Sequence, residues 1–154
     1  MSGRHAFEYA ALQVVPRVER GERINAGVLL YCRGLDFLGA SVHLDRARLA
    51  ALDPHADTAG IGNALDALAR LCGSGGIEAA RYAGPAGEED NGRRFRRLTA
   101  PRSTVIQPGP VHTGLTADPA AELERLLELL VLPVGAARSA IDGAGVSAES
   151  PHGP

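Results

Sequence analysis

The stretch INAGVLLYC, Ile24–Cys32, constrains the fold more than any other part of the chain. It is rich in β-branched and large apolar residues, and only Asn25 breaks it with a polar side chain. Such a run reads as a strand buried inside a sheet. Two further apolar segments flank it at short range. FEYAALQVV, Phe7–Val15, alternates in part, and FLGASVHL, Phe37–Leu44, alternates apolar with small or polar residues; both read as strands. The connections PRVERGER, Pro16–Arg23, and RGLD, Arg33–Asp36, have turn chemistry. Three strands on short polar connections predict an antiparallel meander.

Helical spacing takes over after the third strand. Asp45 predicts a cap for a short helix through Leu52. Asp53-Pro54 fits an N-cap followed by proline at the first helical position. Ile61, Leu65, Leu68 and Cys72 then form one apolar stripe, and Gly73 fits its C-terminal end. A sheet face needs such a stripe to cover it, so this helix is expected on the meander. Gly73–Gly92 lacks sustained periodicity and reads as a mobile loop with room for one short strand around Ile77–Tyr82. A helix is expected from about Glu88 to Leu98. Ala100-Pro101 ends it, because the residue before proline avoids the helical region.

STVIQ, Ser103–Gln107, predicts a fourth strand, and PGPVHTGL a turn with a short edge segment. Asp118-Pro119 repeats the cap-and-proline signal ahead of Leu123, Leu126, Leu127 and Leu130, a helix that should end near Leu132-Pro133. From Val134 onward the chain is Gly, Ala, Ser and Pro, with little to bury. The expectation is therefore one α+β domain over residues 1–132. It has a three-stranded antiparallel β-meander plus a fourth strand, covered by two or three helices, and a disordered tail follows over 133–154.

Composition narrows the function classes. With 154 residues, 45% of them hydrophobic, the chain can bury a core. A net charge of −2 argues against nucleic-acid binding through overall charge, while leaving room for a local patch. All 16 basic residues other than histidine are arginine. The absence of lysine excludes Schiff-base chemistry and a P-loop. Cys32 and Cys72 lie in apolar runs without metal-ligand spacing and are expected as buried, reduced thiols. The N-terminus lacks an apolar signal region and no apolar run reaches membrane-spanning length, so a cytoplasmic location is expected.

The densest charge is RRFRRLTAPR, with Arg93, Arg94, Arg96, Arg97 and Arg102 in ten residues. On a helix, Arg93 and Arg97 lie four apart and share a face, while Phe95 and Leu98 supply the buried stripe. Guanidinium groups around an apolar anchor can hold phosphate or carboxylate. The plainer alternative is a solvated helix face, with Glu88, Glu89 and Asp90 at its start and arginines in its later turns. Arg102 is harder to explain, since it follows the helix-ending proline, where no propensity asks for a cation. In the first turn, Arg17, Arg20 and Arg23 alternate with Glu19 and Glu22, and Gly21 permits a positive φ. Asn25 must find partners inside its apolar strand. These groups make either a charged turn with a structural asparagine or one end of a polar site.

His43 and His112 could meet across the sheet as an acid–base pair. No serine or cysteine has a nucleophile's context, and HTG is no hydrolase signature. The glycines of GSGG, Gly73–Gly76, follow a helix and read as linker. No catalytic residue, metal ligand or cofactor is assigned. The binding candidates, for an anion or a partner, are Arg17, Arg20, Arg23, Asn25, Arg93, Arg97, Arg102 and His112.

Three stretches together carry a resemblance: VVPRVERGERINAGVLLYCRGLDFLGASVHLD, RRFRRLTAPRSTVIQPGPVHTGLTADP and AAELERLLELLV. From Phe7 to Val131 the chain resembles the bacterial domain-of-unknown-function family three thousand and thirty-seven. The resemblance implies a stand-alone bacterial domain and carries over no catalytic residues, since the family defines none. Through gene neighbours similar to HipA-type kinases it also implies a protein partner. Three function classes follow, in order of preference: a non-enzymatic accessory or protein-interaction module, a nucleic-acid or nucleotide-phosphate binder using the arginine cluster, and a phosphoester-processing enzyme with His43 or His112 as acid or base.

Overall fold

The computed structural model describes residues 3–72 and 90–135. Within them the fold is α+β, with an antiparallel sheet of five strands and four α-helices. The meander has the expected form: β1 is His5–Val14, β2 is Ile24–Cys32 and β3 is Phe37–Val42. Gly21 takes a φ of 69° in the β1–β2 turn, the left-handed region that glycine enters without a steric penalty. A single 3-10 turn at Arg33–Leu35 joins β2 to β3.

The far edge of β1 is completed by two short strands. β4, Ile106–Pro108, pairs with Leu12–Val14, and β5, His112–Thr116, pairs with His5–Tyr9. The two are one interrupted edge strand, offset by one residue in register. Pro110 lies in the gap and has no N–H to offer a ladder. The Gly109 N–H still reaches the Ala11 carbonyl at 2.7 Å. The expected strand Ser103–Gln107 is thus shifted to Ile106–Pro108, and the short edge segment expected within PGPVHTGL is β5. Local side-chain bonds account for the shift. Gln107 Nε2 donates to the Thr104 carbonyl, and Thr104 Oγ1 to the Ile106 carbonyl, so the chain bends there.

Helices cover both faces of the sheet. α1 (Arg46–Leu52), α2 (Thr58–Cys72) and α3 (Asn91–Leu98) lie on one face. There Leu49, Ile61, Leu65, Phe95 and Leu98 pack against Leu12, Val14 and Leu29. α4, Pro119–Leu130, covers the other face, where Leu123 and Leu126 meet Phe7, Val28, Leu30 and Cys32. β2 is therefore apolar on both sides, which explains its near-continuous apolar run. A bulge in β2 leaves Ala26 unpaired, since Gly27 faces Leu12 and Asn25 faces Gln13. It keeps Ile24 and Ala26 in the same core as Leu29. Each fully buried leucine of this kind contributes roughly 1.5–3 kcal/mol.

The caps follow the expectations at Asp45 and Asp118, whose carboxylates accept N–H bonds from Arg48 and Ala121. Asp53 is the exception. α2 begins at Thr58, and Asp57 caps it by accepting the Gly60 N–H at 3.0 Å. Asp53 instead ends α1, accepts the His55 N–H at 2.9 Å and turns inward toward Arg17. The arginine helix, expected from about Glu88, starts at Asn91, because Asp90 has extended backbone and caps it by accepting the Arg93 N–H. Most of the loop expected over Gly73–Gly92, with its short strand, the expected helical residues Glu88 and Glu89, and the tail beyond residue 135 lie outside the described residues.

Candidate functional site

Helical geometry divides the arginine segment. Phe95 and Leu98 are buried, and Phe95 stacks on Tyr31 of β2 with ring centroids 5.6 Å apart. Arg94 is itself buried, and its Nη1 donates to the Leu71 carbonyl at 3.4 Å. A cation at the C-terminus of α2 suits the negative end of that helix dipole. Arg97 also lies toward this end, close enough to act on the Cys72 thiol. Arg93 and Arg96 reach a different place, a polar cleft at the N-terminal end of α3.

That cleft has a volume of about 690 Å³. Glu8 and Tyr31, directly paired on β1 and β2, form one side of it. Arg33 and Asp36 approach from the 3-10 turn, and Asp90, Asn91 and Arg93 from the start of α3. Arg96 grips Glu8 with two bonds of 2.9 and 3.0 Å. Asn91 Nδ2 donates to Asp36 Oδ1 at 3.1 Å, tying the turn to the helix. Gly92 leaves room for the Tyr31 hydroxyl, since a Cβ at this position would stand 2.9 Å from its oxygen and the ring would have to shift.

A second cleft, of about 580 Å³, opens at the other end of α3. Gly60, Ile61, Ala64 and Leu68 form one wall along α2, with Pro16 and Ile106 opposite. The lining is mainly apolar, and Asp57 and Arg102 supply charge at its rim. Arg102 Nη2 donates to the Arg97 carbonyl at 3.1 Å, closing the C-terminal turn of α3. That bond gives the cation beyond Pro101 a structural reason.

A family model described as a protein of unknown function, DUF3037, matches residues 9–131. The chain belongs to the DUF3037 family. No curated protein and no solved structure matches it. The DUF3037 match spans every residue named above for the two clefts except Glu8.

The other candidates of this DUF3037 domain are dispersed. Arg17 lies 3.6 Å from both Glu19 and Asp53, and Arg20 pairs with Glu22. Arg23 donates to Gln13, Gln13 to Asn25, and Asn25 Nδ2 to the Leu130 carbonyl at 3.1 Å. This relay holds the C-terminus of α4, on the sheet face opposite α1–α3. It supplies the partners that a polar group in an apolar strand requires. Pro16 meets Arg102 at the apolar cleft, while the side chains of Arg20, Arg23 and Asn25 are engaged elsewhere.

The histidines stand apart. His112 starts β5, is exposed, and packs its ring 5.3 Å from that of Tyr9. His43 follows β3 at the opposite edge. Three strand spacings, about 14 Å, separate the two edges, so they do not form an acid–base pair. Both cysteines are buried and free. Burial pushes the Cys72 thiol up to about 11, outweighing the opposing pull of Arg94 and Arg97. Among the described residues no group of three metal-ligating side chains converges. None of their helices is long and apolar enough to cross a membrane.

Sequence reading passed over Glu8, Tyr31 and Arg33 in the polar cleft, and Gly60 and Ala64 in the apolar one. The cross-strand pairing of Glu8 with Tyr31 depends on register, which spacing alone does not set. Gly60 and Ala64 did carry a signal, as small residues four apart beside the apolar stripe of α2.

Proposed function

We propose that this domain is a non-enzymatic protein-interaction module whose docking face is the apolar cleft between α2 and residues 102–106. The observation that carries this reading is the composition of the α2 wall. Gly60 and Ala64 leave a trough between Ile61 and Leu68, and apolar groups line the opposite side. Such a trough takes the apolar anchors of a partner segment, as amphipathic helices use grooves. Arg102 at the rim would pair with an acidic residue next to those anchors. The partner implied by the family resemblance is a HipA-like kinase. The separation of His43 from His112 disfavours the enzymatic reading. The engagement of Arg17 and Arg20 with neighbouring carboxylates disfavours a nucleic-acid surface built on the β1–β2 turn.

The test is calorimetric titration of the purified domain with a candidate kinase from the same host. Ala64 is exposed, so Ala64→Arg fills the cleft without disturbing the core. It is expected to abolish binding, while Arg125→Gln, on α4 across the sheet, leaves affinity unchanged. Binding that survives Ala64→Arg, or a strictly monomeric domain for which no partner is recovered from host lysate, would overturn the proposal.

A further inference from the structure

The polar cleft at the start of α3 is separate from the docking face proposed above. Its place along β1 is set by Glu8, while the apolar cleft lies beyond Val14, roughly 20 Å further along the strand. Much of its charge is already committed. Both oxygens of Glu8 are taken by Arg96. Asp90 Oδ1 accepts the Arg93 N–H at 2.7 Å, and the N-terminal dipole of α3 offsets its charge. Asp36 accepts the Asn91 side-chain amide.

These bonds leave three donor groups pointing to one use. Arg33, Arg93 and Tyr31 are among the residues that line the cleft. None of the three has a hydrogen-bond acceptor or ion-pair partner among the described residues. The frame that presents them is fixed by the Arg96–Glu8 fork, the Asn91–Asp36 bond and the Tyr31–Phe95 stack. A planar guanidinium favours planar oxyanions, which accept two parallel bonds from it.

Charge balance selects among oxyanions. Among the described residues three arginines, Arg33, Arg93 and Arg96, balance the carboxylates of Glu8, Asp36 and Asp90. The N-terminal dipole of α3 then leaves an excess of roughly half a positive charge. A monoanion comes closest to matching it, whereas a dianionic phosphate would overshoot further and stand against Asp36. We infer that this cleft binds a carboxylate group, held by Arg33 and Arg93 with the Tyr31 hydroxyl as a third donor. A peptide C-terminus and a small organic acid present the same group.

The experiment is an NMR titration of the full chain with acetate, acetamide and, at pH 8, inorganic phosphate. Acetate is expected to shift the amides of Arg33, Asn91, Gly92 and Arg93 saturably, acetamide to leave them in place, and phosphate to bind more weakly than acetate. Arg33→Gln and Arg93→Gln, both at exposed positions, should each weaken acetate at least about fivefold, as loss of a charge-assisted pair does. Arg125→Gln should not. An N-acetylated tripeptide and succinate separate the two sources, and tighter binding of either than of acetate supports the site. The inference fails if acetate shifts do not saturate or appear equally at all exposed arginines. It also fails if both glutamine variants bind like the parent, or if phosphate binds more tightly than acetate.

Discussion

Arg96 and Glu8, 88 positions apart in sequence, are joined by two nearly parallel hydrogen bonds that fasten α3 to β1. The Arg96 side chain is 61% exposed and that of Glu8 26%, so water competes for the pair. Its net contribution should be about 0.5–1 kcal/mol, at the upper end for exposed pairs because the geometry is bidentate. A double-mutant cycle of Glu8→Gln and Arg96→Gln, read by urea denaturation, should return a coupling of that size. The coupling should shrink in high salt.

Asn25 is expected to matter more than its polarity suggests. Asn25→Ala removes the donor to the Leu130 carbonyl and the acceptor for Gln13, at a cost of about 1–3 kcal/mol. Asn25→Asp should cost more at neutral pH, because it sets a carboxylate against that carbonyl. Hydrogen exchange should locate the loosening at the last turn of α4 in both variants.

Asp53 and Arg17 should respond unequally to truncation. Asp53 is 8% exposed and accepts the His55 N–H, whereas the Arg17 side chain is 48% exposed and 3.6 Å away. Asp53→Ala is expected to cost about 1–3 kcal/mol, and Arg17→Ala about 1 kcal/mol or less. Chemical denaturation of the two variants checks the order.

Cys72 should confer an alkaline limit on stability. Its thiol is pushed from 9.0 to about 11 in the folded protein. Between these values the folded state holds a proton that the unfolded state releases. The corresponding stability is complete below pH 9 and is lost as pH rises through 11, on the order of 2–3 kcal/mol. Denaturation from pH 8 to 11 should show this fall, and Cys72→Ala should flatten it. At neutral pH, thiol reagents should react with Cys72 only on unfolding.

The meander and the stripes of α2 and α4 were readable because they rest on periodicity. β2 announced its two-sided burial by an unbroken apolar run, and Asp118-Pro119 announced α4 by cap chemistry. The start of α2 was misread because Asp53-Pro54 and Asp57 both have cap chemistry, and burial beside Arg17 decided between them. The start of the fourth strand was placed three residues early for a related reason. Thr104 and Gln107 bond locally, and propensity does not weigh such bonds against the ladder.

Sequence alone determined the fold class, the apolar faces and the presence of a short, arginine-rich amphipathic helix, because each follows from local spacing and capping. It did not determine what the arginines face. Five cations drawn as one cluster part in space: Arg93 and Arg96 go to a polar cleft, Arg94 and Arg97 toward the end of α2, and Arg102 to the closing turn of α3. Neighbours on a helix point apart by about 100°, so α3 can serve two surroundings, while Arg102 lies beyond its end. Which surroundings those are depends on Glu8, Arg33 and Leu71, brought close only when the helix docks on the sheet.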